Sequence, residues 1–195
     1  YGTYTMGVYL TPVLGGLLAD KLLGYRWAVI IGAFIMTLGH ASMALETELF
    51  LYIGLGCLII GNGLFKPNMT SMISHLYKDH PEKKDGAYSI FYMGVNAGAF
   101  LGIMLCGYIG EKVSWSLGFG LAGIFMFFGM LQFYFTQNIF GQVGLSPTNK
   151  SLIKSDEVDH TPSNIIRDRM IVVFIFSIFT VFFWAAFEQA GGSMT

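Results

Sequence analysis

Leu49-Phe-Leu-Tyr-Ile-Gly-Leu-Gly-Cys57-Leu-Ile-Ile-Gly61-Asn62-Gly63-Leu-Phe-Lys66-Pro67-Asn68-Met-Thr70-Ser-Met-Ile-Ser74-His75-Leu76 decides the fold: from 49 to 76 the chain carries one lysine and no carboxylate. A hydrocarbon core about 30 Å thick is crossed by about 20 apolar residues in a helix, so the segment spans a bilayer with turns to spare. It lacks the period-two alternation of a barrel strand. Charge in hydrocarbon costs at least ~3 kcal/mol, so Lys66 points either to a polar pathway or to a buried contact that fixes helix packing.

Outward from this segment, the same ruler finds spans at approximately 2–19, 27–45, 87–110, 114–136 and 170–195. The breaks hold nearly every charge, as expected where each spanning backbone must satisfy its own hydrogen bonds. The fold class expected is an all-α integral membrane bundle of six transmembrane helices. Of the 195 residues, 54% are hydrophobic and 12% charged, with 25 Gly, 18 Phe and 10 Tyr, and the mean hydropathy is +0.59. That composition excludes a soluble single-core enzyme, and a net charge of −1 leaves no basic excess for nucleic acid. Cys57 and Cys106 lie in apolar runs without metal-ligand spacing and read as small packing residues, so no metal is expected.

Cations set the orientation. Lys21 and Arg26 lie in the first break, Lys78, Lys83 and Lys84 in the third, and Lys150, Lys154, Arg167 and Arg169 in the fifth, which places the odd breaks in the cytoplasm. The chain begins at Tyr1 without an initiator Met or signal peptide and stops soon after a glutamate, so it reads as a fragment. Residues 137–169 exchange Gly, Phe and Leu for Ser, Asn, Pro, Asp and Lys. They read as a cytoplasmic linker between five helices of one bundle, 1–136, and the first helix of a second, 170–195. Such a linker suits two halves that rock against each other, although a loop without a mechanical role fits as well.

At helical spacing Asn62, Lys66, Thr70 and Ser74 share one face, and Ser177, Thr180, Trp184 and Glu188 another. Ser89, Tyr92 and Asn96 form a third, and Tyr1, Thr5 and Tyr9 a fourth. Counted at 1.5 Å per residue from the nearest cytoplasmic charge, Tyr9, Lys66 and Asn96 occupy one layer roughly 16–18 Å deep, with Glu188 at about 28 Å. Tyr and Asn side chains hold a polar solute without the desolvation cost of a charge, and hydrogen bonds between helices are the competing use for them. Pro67 removes a helical N–H beside the lysine and predicts a kink there. His40, alone in the second span, reads as a packing residue. Metalloprotease, hydrolase and phosphate-loop signatures are missing, so the chain does not read as an enzyme.

Gly16-Leu-Leu-Ala-Asp20-Lys21-Leu-Leu-Gly24-Tyr-Arg26 resembles the loop motif after the second helix of the major facilitator superfamily. Gly61-Asn-Gly-Leu-Phe-Lys66-Pro67-Asn68, Phe91-Tyr92-Met-Gly-Val95-Asn96-Ala-Gly98 and Phe183-Trp184-Ala-Ala-Phe-Glu188-Gln189 together resemble the proton-coupled oligopeptide transporter family. The resemblance implies a partial major facilitator bundle, family helices 2 to 7, in a multi-pass protein of the cell membrane. It implies symport of di- and tripeptides with protons as the coupling ion and no cofactor. Lys66 would receive the peptide carboxylate and be coupled to protonation, Asn96 would bond the peptide backbone, and Tyr9, Tyr92 and Trp184 would line the site. Glu188 would meet the amino end or take part in proton-linked gating, and Asp20 and Arg26 would belong to a cytoplasmic gate. A facilitator of another small solute (nitrate, an amino acid or a drug) and a non-transporting membrane scaffold are the alternatives.

Overall fold

Helix starts follow the local chemistry. In the computed structural model residues 2–146 and 163–192 are described. They form α1 (Gly2–Leu18, ending in a π turn Ala19–Leu23), α2 (Tyr25–Met43), α3 (Glu48–Leu76) and α4 (Pro81–Gly102). A π turn, Ile103–Gly107, leads into α5 (Tyr108–Lys112), followed by α6 (Trp115–Thr136) with a 3-10 turn at Gln137–Phe140, and by α7 (Ser163–Gly192). Thr47 caps α3 by accepting the Phe50 N–H at 3.4 Å, and Ser114 caps α6 by accepting that of Leu117 at 3.2 Å. Pro81 starts α4 at a position that needs no N–H. Hence α4 begins before the apolar run that opens at 87, its first turn being the polar Pro-Glu-Lys-Lys.

Among the described residues, five segments are long and apolar enough to cross a membrane: Gly2–Leu23, Tyr25–Met43, Glu48–Leu76, Pro81–Lys112 and Trp115–Phe140. The sixth expected span, 170–195, falls on α7, which starts earlier, at Ser163; residues 193–195 lie outside the described set. Within the expected linker, residues 137–144 form a 3-10 turn and a further turn. The chain forms two units, Tyr1–Lys154 and Ser155–Thr195.

Glycine sets the packing of the first unit. A Cβ built on Gly32 would lie 2.7 Å from the Gly61 carbonyl oxygen, and one on Gly61 would lie 2.7 Å from that of Gly32. Gly39 and Gly54 repeat this reciprocal contact two turns away, at 2.9 and 2.7 Å. So α2 and α3 touch backbone to backbone, as small residues allow in a lipid medium that offers no hydrophobic drive between helices. On the other side of α3 a Cβ at Gly15 would run into the Gly63 carbonyl oxygen. Beside that crossing, the Thr11 hydroxyl donates to the Gly7 and Ile59 carbonyls, both at 2.9 Å. The buried Asn68 amide donates to Leu64 O at 2.6 Å and Gly15 O at 3.4 Å. Pro67 sits within an unbroken α3.

α6 closes against α2 through a core of Val29, Ile30, Met72 and Phe133. Its N-terminus is held by the loop after α2, where the Glu46 carboxylate accepts the Ser116 N–H at 2.8 Å and the Ser116 hydroxyl donates to Ala44 O. By contrast, no residue of α4 is buried.

Candidate functional site

One link between α3 and α4 is the Tyr88 hydroxyl, which donates to the Thr70 carbonyl at 3.1 Å. These helices are consecutive and antiparallel. Lys66 and Tyr92 therefore each lie one turn from that bond in the same direction, sharing a level about 6 Å beyond it. Asn96 follows one turn further, its amide donating to Tyr92 O at 2.8 Å. Tyr92 stacks on Tyr88 with centroids 6.4 Å apart and meets the edge of Phe91 at 5.5 Å.

Tyr9 is placed by α1, which runs parallel to α3. Asn62 donates to Val8 O at 3.4 Å and Asn68 to Gly15 O, so contacts rise together along both helices. Paired residues are 48 to 54 apart in sequence, which sets Tyr9 level with residues near 61, about 8 Å beyond Lys66. The single layer expected for Tyr9, Lys66 and Asn96 is thus two levels, Lys66 with Tyr92 and Tyr9 with Asn96. Counting depth from the nearest charge assumes that every helix starts at the same height, which the contacts between helices do not require.

Lys66, Asn96, Tyr9 and Tyr92 are exposed, the two tyrosines by more than half. Among the described residues no carboxylate pairs with the Lys66 ammonium. An exposed ammonium with neutral hydroxyls and an amide nearby has the chemistry to hold an anion. Trp184 and Glu188 lie on α7; their side chains are outside the described residues.

The loop pair Asp20 and Arg26 is not joined. Asp20 lies near the Tyr25 hydroxyl, and Tyr25 stacks on His75 of α3 at 5.2 Å. Arg26 is buried and donates from Nε to Val143 O and from Nη2 to Gly141 O, both at 2.6 Å. Sequence reasoning assigned no role to three residues that bond across or along these helices: Thr11, Asn68 and Tyr88. Tyr88 was legible, since 88, 92 and 96 repeat at i, i+4 and i+8. Thr11 and Asn68 were hidden because a residue that bonds a neighbouring backbone has the same spacing as one that faces a solute.

The POT family model matches residues 26–158. This chain belongs to the POT family. The POT-family chain is 35% identical over 144 residues to a di-/tripeptide transporter of Lactococcus lactis subsp. cremoris, covering 73% of this chain and 29% of the relative. It is 40% identical over 136 residues to the peptide transporter YePEPT of Yersinia enterocolitica subsp. palearctica, covering 68% of this chain and 26% of the relative. A crystal structure of peptide transporter POT in complex with sulfate superposes with a TM-score of 0.70 at 30% identity, covering 98% of this chain and 37% of that one. A POT family transporter in complex with 5-aminolevulinic acid gives 0.69 at 27%, covering 96% and 37%. The described helices are thus part of a major-facilitator bundle in a multi-pass membrane protein whose relatives are transporters, and the chain spans under two-fifths of the length of each relative named.

Proposed function

We propose that the complete protein carries di- and tripeptides across the cell membrane with protons as the coupling ion and no other cofactor. The observation that carries this reading is the exposed Lys66, unpaired among the described residues and level with Tyr92, with Tyr9 and Asn96 about one turn beyond, in a chain of the POT family. Lys66 takes the peptide carboxylate, Asn96 bonds its backbone, and Tyr9 and Tyr92 wall the site. Glu188 and Trp184 from α7 meet the amino end, and Glu188 and Lys66 exchange protons with the cycle. A dipeptide and the 5-aminolevulinic acid bound by one relative each carry an amine and a carboxylate, which supports recognition by the termini. Side chains vary between peptides, so specificity rests on the ends and the backbone.

The two bundles rock about this site, and the odd loops with the 137–169 linker lie in the cytoplasm. Asp20 and Arg26, presented by the α1–α2 loop and the start of α2, belong to the cytoplasmic gate.

The test is uptake of a labelled dipeptide by liposomes holding the full-length protein, with and without an inward proton gradient. Gradient-dependent accumulation, competed by other dipeptides and not by nitrate or free amino acids, is expected. Competition by those solutes, or no accumulation by folded protein, overturns the peptide assignment.

A further inference from the structure

The segment after α6 is docked on the loop between α1 and α2 by an arrangement with no evident use in substrate binding. Arg26, the second residue of α2, is 6% exposed although it carries a permanent charge. Among the described residues its guanidinium meets carbonyl oxygens, those of Val143 and Gly141, and lies 5.9 Å from the Phe140 ring centroid. Its backbone N–H donates to Gly144 O at 3.0 Å, and the Ser146 hydroxyl donates to Leu22 O at 3.0 Å.

Three glycines with positive φ shape the contact: Gly24 at 75°, Gly141 at 55° and Gly144 at 79°. A Cβ at Gly24 would lie 2.6 Å from Ser146 N and 2.7 Å from the Leu145 carbonyl, and one at Gly144 would lie 3.0 Å from Arg26 Cγ. The carbonyls that Arg26 gathers follow the end of a helix, where acceptors lose their own N–H partners and the dipole favours a cation. A planar fork serves two separate acceptors at once, and a lysine's single ammonium does not.

We propose that Arg26 is a positioning residue that anchors the root of the inter-bundle connection, Gly141–Ser146, to the α1–α2 loop, so that these two segments move as one body. The connection between bundles then starts beyond Ser146 rather than at the end of α6. Its bearing on transport rests on the alternating-access reading above, whereas the anchor itself does not.

The experiment places spin labels at Lys21→Cys and Gln142→Cys, both exposed positions, in full-length protein carrying Cys57→Ala and Cys106→Ala. Distances are read in lipid nanodiscs with and without dialanine at two pH values. One narrow distance, unchanged across all four conditions, is expected, broadening in Arg26→Gln and only partly recovering in Arg26→Lys. Gly24→Ala, which forces the backbones apart without touching the charge, broadens it too and serves if Arg26→Gln does not fold. A distance that shifts with dialanine or pH in the Arg26 protein, or a width in Arg26→Gln equal to that of the Arg26 protein, overturns the proposal. Dialanine uptake measured on the same samples reports separately on the peptide-transport reading.

Discussion

α2 and α4 are alike in length, 19 and 22 residues, and both carry glycines at helical spacing, yet they meet opposite fates. Gly32 and Gly39 of α2 press against backbone of α3, whereas a Cβ at Gly94, Gly98 or Gly102 of α4 would meet nothing within 4 Å. Eight residues of α2 are buried and none of α4. Among the described residues, the same small-residue signature thus serves a close contact in α2 and meets no neighbour in α4. The polar residues sort in the same way: Thr11 and Asn68 are spent on neighbouring backbones, and among the described residues the ring and hydrogen-bond partners of Tyr92 and Asn96 lie within α4.

Substitutions break or sharpen this contrast. Gly61→Val drives two methyl groups toward the Gly32 carbonyl and should cost about 3 kcal/mol or more, read as loss of a monodisperse peak in detergent. Gly98→Val, on the open face, should leave the packing of residues 2–146 intact. Next in size, Lys66→Gln removes the free cation: dipeptide binding should weaken by about 1.5–3 kcal/mol by calorimetry, while the melting temperature stays put because no partner is lost. The reverse is expected of Asn68→Ala, which should lower stability by about 1–2 kcal/mol in thermal melts and leave dipeptide affinity of the folded fraction unchanged.

Smallest is Tyr88→Phe, which deletes one hydrogen bond between α3 and α4 at about 1 kcal/mol. It should speed amide exchange at the start of α4 in full-length protein without altering α2. Exchange that rises equally in both helices would mean that α4 is as firmly committed as α2.

Much of this was legible in the sequence. Apolar runs gave the segments, and their starts shifted where a polar first turn extended a helix past the apolar run, as at Pro81 and Ser163. The candidate residues were legible as polar breaks in those runs, and the quoted motifs gave the family. Which polar residue faces a solute and which faces a helix was not, because in lipid both are equally conspicuous. Asn62 and Lys66 share a face by spacing, yet Asn62 reaches Val8 O and Lys66 is exposed. Arg26 shows the same limit: a cation in a loop motif suggests a gate, and only the fold brings Gly141 and Val143, over a hundred residues away, to its guanidinium.

The central claim is that the exposed face shared by α3 and α4 receives the peptide. The most direct measurement is the rate at which a membrane-impermeant thiol reagent labels Asn96→Cys in full-length protein lacking Cys57 and Cys106, with and without dialanine. Saturating dialanine should slow labelling about tenfold or more, and free alanine should not. A rate that dialanine leaves unchanged, in protein that still binds it, would place the peptide elsewhere and contradict the account.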